Sequence, residues 1–87
     1  MQLESETMTP LVHRARRAHG HLARVISMME DGADCEDVLT QLSAVIKALD
    51  RTGYAVVASG LQQCLRAGDG PDSVDAKRLE KLFLTLS

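Results

Sequence analysis

The chain has 87 residues, 45% of them hydrophobic, and a formal net charge of −2. That length predicts one domain near the lower limit for a self-sufficient core. The absence of any apolar run of about 18 residues excludes a membrane-spanning helix. There is no nucleophile elbow, phosphate-binding glycine loop or carboxylate pair in an apolar setting, so the chain reads as no enzyme. No signal-peptide pattern is present either, and a cytoplasmic protein is expected. Tyr54 and Phe83 are its aromatic residues. The core must therefore be built from short aliphatic side chains, which suit helix-on-helix packing between subunits that complete one another's interiors.

Residues 1–8 lack apolar periodicity and read as a frayed, disordered end, leaving 9–87 as the folded domain. Thr9 can cap a first helix with Pro10 at its first position, where the missing N–H is not needed. Leu11, Ala15, Ala18, Leu22, Val25 and Met29 then recur at heptad spacing and form a narrow seam. Gly32 ends this helix. The short link to Asp34 makes the next helix an antiparallel neighbour.

Asp34 caps the second helix, with acids clustered in the first turn, where the macrodipole favours them. The helix is expected to reach about Arg66, with Gly68 as its stop. Gly53 and Gly60 lie inside it, each costing about 1 kcal/mol relative to alanine, so a close helix approach or a local kink is expected there. The Gly68–Asp72 stretch is a turn by composition, and Asp72 or Ser73 caps a short third helix. Its Leu79, Leu82, Phe83 and Leu86 share one face. No strand pattern and no internal repeat appear. The fold class predicted is all-α, with three helices and the second longest.

On the second helix Leu39, Leu42, Ile46, Leu49, Gly53, Val56 and Gly60 step by threes and fours, and Cys35 and Cys64 fall on the same stripe. Twenty-nine positions separate the two cysteines. At 1.5 Å per residue they sit roughly 43 Å apart in one chain. An antiparallel copy with its two-fold axis between Leu49 and Asp50 would set Cys35 opposite the partner's second thiol, twice per dimer. Neither cysteine belongs to a Cys-x-x-Cys pair, which excludes a zinc knuckle or a thioredoxin-type motif. Two buried small hydrophobes are the plainer alternative.

Residues 13–24 hold Arg14, Arg16, Arg17, Arg24, His13, His19 and His21 without an acid among them. Arg14, Arg17, His21 and Arg24 follow steps of three, four and three, a basic stripe placed opposite the apolar seam. A stripe free of interleaved acids points to a polyanion partner, read along its phosphates. No helix-turn-helix, finger or ribbon pattern accompanies it, so DNA would meet the flat surface of an oligomer. The histidines lack the i,i+4 spacing of a helical metal pair.

The run RARRAHGHLARVISMMEDGADCEDVLTQLSAVIKALDRTGYAVV resembles the copper-sensitive operon repressor family, CsoR with its relatives RcnR and FrmR. DCEDVLTQLSAV carries the strongest likeness, and the match extends from about Leu11 to Leu65. The resemblance implies a three-helix protomer, a dimer built on antiparallel second helices, and a tetramer of two dimers. In the copper sensors, Cu(I) is held by a Cys at the place of Cys35 and by a His-x-x-x-Cys pair from the partner. Here Cys64 matches the second cysteine, and Gly60 stands in the histidine place.

A Cys–Cys pair without that histidine is similar to the persulfide-sensing branch, the CsoR-like sulfurtransferase repressors (CstR). The expectation is a repressor that senses sulfane sulfur donors through Cys35 and Cys64 of adjacent subunits and then releases operator DNA. No cofactor is called for. The alternative is a Cu(I) sensor that uses the same two thiolates. A helical interaction module that binds no DNA is the reading from another class. By position, Arg14 and Arg51 match residues for operator binding, with Arg17 and Lys47 as neighbours. Glu80 falls near the place of an acid that supports the copper site, and His21 stands where glutamine is usual.

Overall fold

In the computed structural model, which describes residues 2–68 and 70–86, the chain forms three helices. These are α1 (Ser5–Glu30), α2 (Cys35–Arg66) and α3 (Val74–Thr85). The all-α expectation holds, with no strand among the described residues. None of these helices is long and apolar enough to cross a membrane. α2 is the middle element. α1 packs along one side of it and α3 along another, and α1 and α3 make no contact with each other among the described residues.

The helix ends follow local chemistry. α1 stops in a Schellman turn: Gly32 adopts φ 74°, its N–H reaches the Met29 carbonyl at 3.3 Å, and Ala33 N–H reaches that of Met28 at 2.9 Å. Asp34 caps α2 by accepting from Glu36 N–H at 3.1 Å. Gly68 at φ 90° closes that helix after Arg66. Ser73, rather than Asp72, caps α3, its hydroxyl oxygen accepting from Ala76 N–H at 3.1 Å.

The start of α1 differs from the expectation. The helix begins at Ser5, one turn before Thr9, and Pro10 lies inside it. The Met8 N–H already bonds the Glu4 carbonyl at 3.0 Å, and the Thr9 hydroxyl donates to the Ser5 carbonyl at 3.0 Å instead of capping. Proline this close to the N-terminus removes one bond, the one the Glu6 carbonyl would have received, so the turn ahead of it persists. The Gln2–Glu4 segment before it lies against α2.

Leu11, Ala18 and Val25 are buried at seven-residue intervals and face the buried Val45 of α2 across the hairpin's seam. Ala15 and Met29, counted on the seam from sequence, are exposed, and Met28 takes the half-buried position instead. On the other side of α2 the buried Ala76 and Leu79 anchor α3. The Tyr54 ring meets Phe83 at 5.3 Å between centroids, and its hydroxyl donates to the Leu86 carbonyl at 3.2 Å.

Gly53 and Gly60 admit α3 closely. A Cβ at Gly53 would lie 3.2 Å from a Leu86 methyl, and one at Gly60 would lie 3.2 Å from a Leu79 methyl. Close approach, not a kink, is therefore their role, since α2 runs unbroken through both.

The Cα trace spans 53 × 25 × 13 Å, a plank about one helix thick. α3 covers the C-terminal half of the α2 stripe. The N-terminal half is bare: Leu39 is 58% exposed, Ile46 52% and Leu49 47%. A single layer cannot enclose an apolar core, so this face wants a second layer.

Gly20 lies mid-helix in α1 with nothing within 4 Å of a built Cβ. Gly20→Ala should therefore raise stability by about 0.5–1 kcal/mol through helix propensity. Gly53→Ala should give less, because Leu86 must shift. Thermal unfolding at one fixed protein concentration checks both. A loss at Gly20 would mean that another chain lies against it.

Candidate functional site

Two groups of side chains depend on how α2 meets its neighbours. The first is the thiol pair. Cys35 is the first residue of α2 and is exposed, whereas Cys64 lies in its last turn and is only 6% exposed. The helix between them is unbroken, so roughly 43 Å separates the two and no bridge forms within one protomer. Cys35 borders a shallow hollow with Glu36, Leu39, Thr40, Ser43, Ala44 and Lys47.

Cys64 follows Gly60 by one turn, on the face that α3 covers. A side chain at Gly60 would project into Leu79, whose methyls lie 3.2 and 3.4 Å from the built Cβ, with a Leu3 methyl at 3.7 Å. The space a donor at that step would need is filled by packing. Glu80 lines an apolar groove with Val57, Leu61, Pro71, Leu79 and Phe83. Among the described residues no group of three or more His, Cys, Asp or Glu side chains is placed to hold a metal ion. A three-donor Cys-His-Cys centre does not fit this chain. Two sulfurs are what it offers.

Within the protomer, Leu86 and Leu79 pack over Gly53 and Gly60, and the exposed half of the stripe runs from Cys35 through Leu39 and Ile46 to Leu49.

The second group is basic. Arg14, Arg17 and His21 of α1 and Arg51 of α2 line one cleft of about 350 Å³, floored by Ala18, Ala48 and Thr52. No acidic side chain lines it. Guanidinium forks converging on such a cleft suit phosphate oxygens. The His21 ring is half-buried and fixed by a 2.7 Å hydrogen bond between Nε2 and Gln41 Oε1.

These residues flank the α1–α2 seam and do not lie opposite it, as the heptad pattern alone suggests. Four residues return a helix to within about 40° of its starting direction. Arg14 therefore sits beside the buried Ala18, and His21 beside the buried Val25. Arg24 does not line the cleft. Lys47, one turn before Arg51, borders the neighbouring hollow that holds Cys35. The roles of Gln41 and Leu79 are not visible in the sequence. Each acts through a partner on another segment, and nothing local marks it.

The family described as metal-sensitive transcriptional repressor matches residues 7–86, and the chain belongs to that family, whose members are repressors and not enzymes. It is 37% identical over 68 residues to the copper-sensing transcriptional repressor CsoR of Mycobacterium ulcerans, covering 74% of this chain and 58% of that one. It is 33% identical over 69 residues to the copper-sensing transcriptional repressor RicR of Mycobacterium tuberculosis, covering 77% of this chain and 72% of the relative. A 39-residue stretch is 46% identical to the uncharacterized protein YrkD of Bacillus subtilis, covering 45% of this chain and 62% of YrkD. The chain thus spans less than two thirds of the length of CsoR and of YrkD. No solved structure gives a significant match. The family read from DCEDVLTQLSAV is borne out; its persulfide-sensing branch rests on the residues alone.

The His21–Gln41 bond ties α1 to α2 beside the cleft. Gln41→Ala should lower stability in urea by about 0.5–1 kcal/mol. Adding His21→Asn should cost little more than the larger single change, since both remove one bond. Additive losses would show that the bond carries no stability.

Proposed function

We propose that this chain is the protomer of a DNA-binding repressor whose inducer acts on Cys35 of one subunit and Cys64 of another. Arg14, Arg17 and Arg51 engage operator phosphates from the acid-free cleft, with Lys47 at its margin. The exposed face from Cys35 to Leu49 supports assembly with a second copy, and the tetramer of two dimers is what the family resemblance implies.

Sulfane sulfur is the inducer class we favour, and one observation carries that choice. Gly60 backs directly onto Leu79, so the step one turn before Cys64 supplies packing and no donor atom. Two thiols without a third ligand suit sulfur exchange. The Cys35 thiolate attacks the outer sulfur of a persulfide RSSH, forming a cysteine persulfide and releasing RSH. The facing Cys64 thiolate attacks the inner sulfur of that group and expels sulfide. The balance is RSSH plus two thiols giving one disulfide, RSH and hydrogen sulfide. Where both cysteines have become persulfides, their condensation leaves a trisulfide and one hydrogen sulfide. Either link ties helix ends of two subunits and can bias a two-state assembly away from DNA.

The second reading is Cu(I) held linearly by the same two thiolates, which are soft ligands suited to that ion. The copper-sensing names of CsoR and RicR favour it.

Binding of the reduced protein to DNA upstream of its own gene, with and without polysulfide or Cu(I), separates the readings. Release by polysulfide, reversed by dithiothreitol and lost in Cys35→Ser and in Cys64→Ser, is the expected result. Release by Cu(I) alone would put the second reading first, and release by neither would overturn both. Arg51→Ala and Arg14→Ala should each flatten the slope of log affinity against log salt by about one. An unchanged slope would remove those residues from the interface.

A further inference from the structure

We propose that Gln2–Glu4, clamped by Gln63, forms a strap that shields Cys64 and sets how readily that thiol reacts. The segment is extended rather than helical and lies along the last turns of α2. Gln63 holds it at two points. Its Oε1 accepts from the Glu4 N–H at 3.2 Å, and its Nε2 donates to the Gln2 carbonyl. A side-chain amide used on both ends pairs with a backbone as a neighbouring peptide would.

Leu3, between those two points, turns toward Gly60, one turn before Cys64, and lies 3.7 Å from the built Cβ there. Leu79 of α3 closes on the same glycine at 3.2 Å. Strap and α3 thus converge on the turn that leads into the buried Cys64, while Cys35 at the other end of α2 carries no such cover.

The tie is weak by construction. Both hydrogen bonds are exposed, and the extended segment is held by one leucine and one glutamine. Segments with so few buried contacts open locally without global unfolding. Cys64 is then a gated thiol, open when the strap lifts. The strap's contacts are with Gly60 and Gln63, four positions and one position before Cys64; shielding is inferred from that placement, and its meaning as control over induction rests on the thiol-sensing function proposed above.

The test is alkylation of the reduced, full-length protein with iodoacetamide, following Cys35 and Cys64 peptides separately by mass spectrometry. Gln63→Ala and Leu3→Ser should each speed Cys64 by about tenfold and leave Cys35 within about twofold, as expected for losing a local tie. Gln63→Glu keeps the acceptor for Glu4 and loses the donor to Gln2, so it should fall between. Circular dichroism and the thermal midpoint should stay unchanged, which separates strap opening from unfolding. An unchanged Cys64 rate in both Gln63→Ala and Leu3→Ser overturns the strap. Because the assay contains neither DNA nor a sulfur donor, it reports on the strap even if the inducer proves to be copper.

Discussion

The unbroken run of α2 is the constraint on which the rest depends. Thirty-two residues of continuous helix act as a ruler that holds Cys35 and Cys64 at opposite ends of the protomer. At 1.5 Å per residue no fluctuation short of breaking the helix brings them together. The two Gly residues within it could have been weak points. Each is instead a seat for a leucine, Leu79 of α3 at Gly60 and Leu86 at its C-cap at Gly53, and that packing offsets the helix propensity that glycine lacks. Any chemistry that joins the thiols must therefore join two chains.

Packing and recognition share the same residues. Ala18, Ala48 and Thr52 bring α1 and α2 close, and the same small side chains floor the cleft in which three arginines converge. The basic cleft is thus part of the α1–α2 hairpin itself rather than of a separate reading head. The thin plank leaves Leu39, Ile46 and Leu49 uncovered, so the surface that a second subunit would cover begins at Cys35. Cys35 lies on the same stripe of α2 as these exposed side chains, and Arg51 of the basic cleft lies on the side of the helix that meets α1.

Much of this was legible in the sequence where the signal was local. Asp34 and Gly68 bound α2, Gly32 ends α1 and Ser73 caps α3, because caps and left-handed stops act within a few residues of themselves. The start of α1 escapes such a reading because Thr9–Pro10 satisfies the rule for a first turn while also being tolerated within one. The Gln2–Glu4 segment that precedes it docks on Gln63, a contact across about sixty positions of chain that no local signal marks. The position of the basic residues was within reach: Arg14 and Ala18 are four apart and cannot face opposite ways on one helix. The burial of Cys64, the filling of the Gly60 step by Leu79 and the partner of His21 were not legible, since each depends on which helix lies across α2.

The central claim is that the reactive link is made between protomers and joins Cys35 to Cys64. Its most direct measurement mixes unlabelled and nitrogen-15-labelled protein, treats the reassembled mixture with polysulfide, and digests it without reduction for mass spectrometry. A link between protomers gives Cys35–Cys64 peptide pairs that carry one light and one heavy partner, bridged by two or three sulfurs. Pairs of uniform label alone, or persulfides on unlinked cysteines, would contradict it.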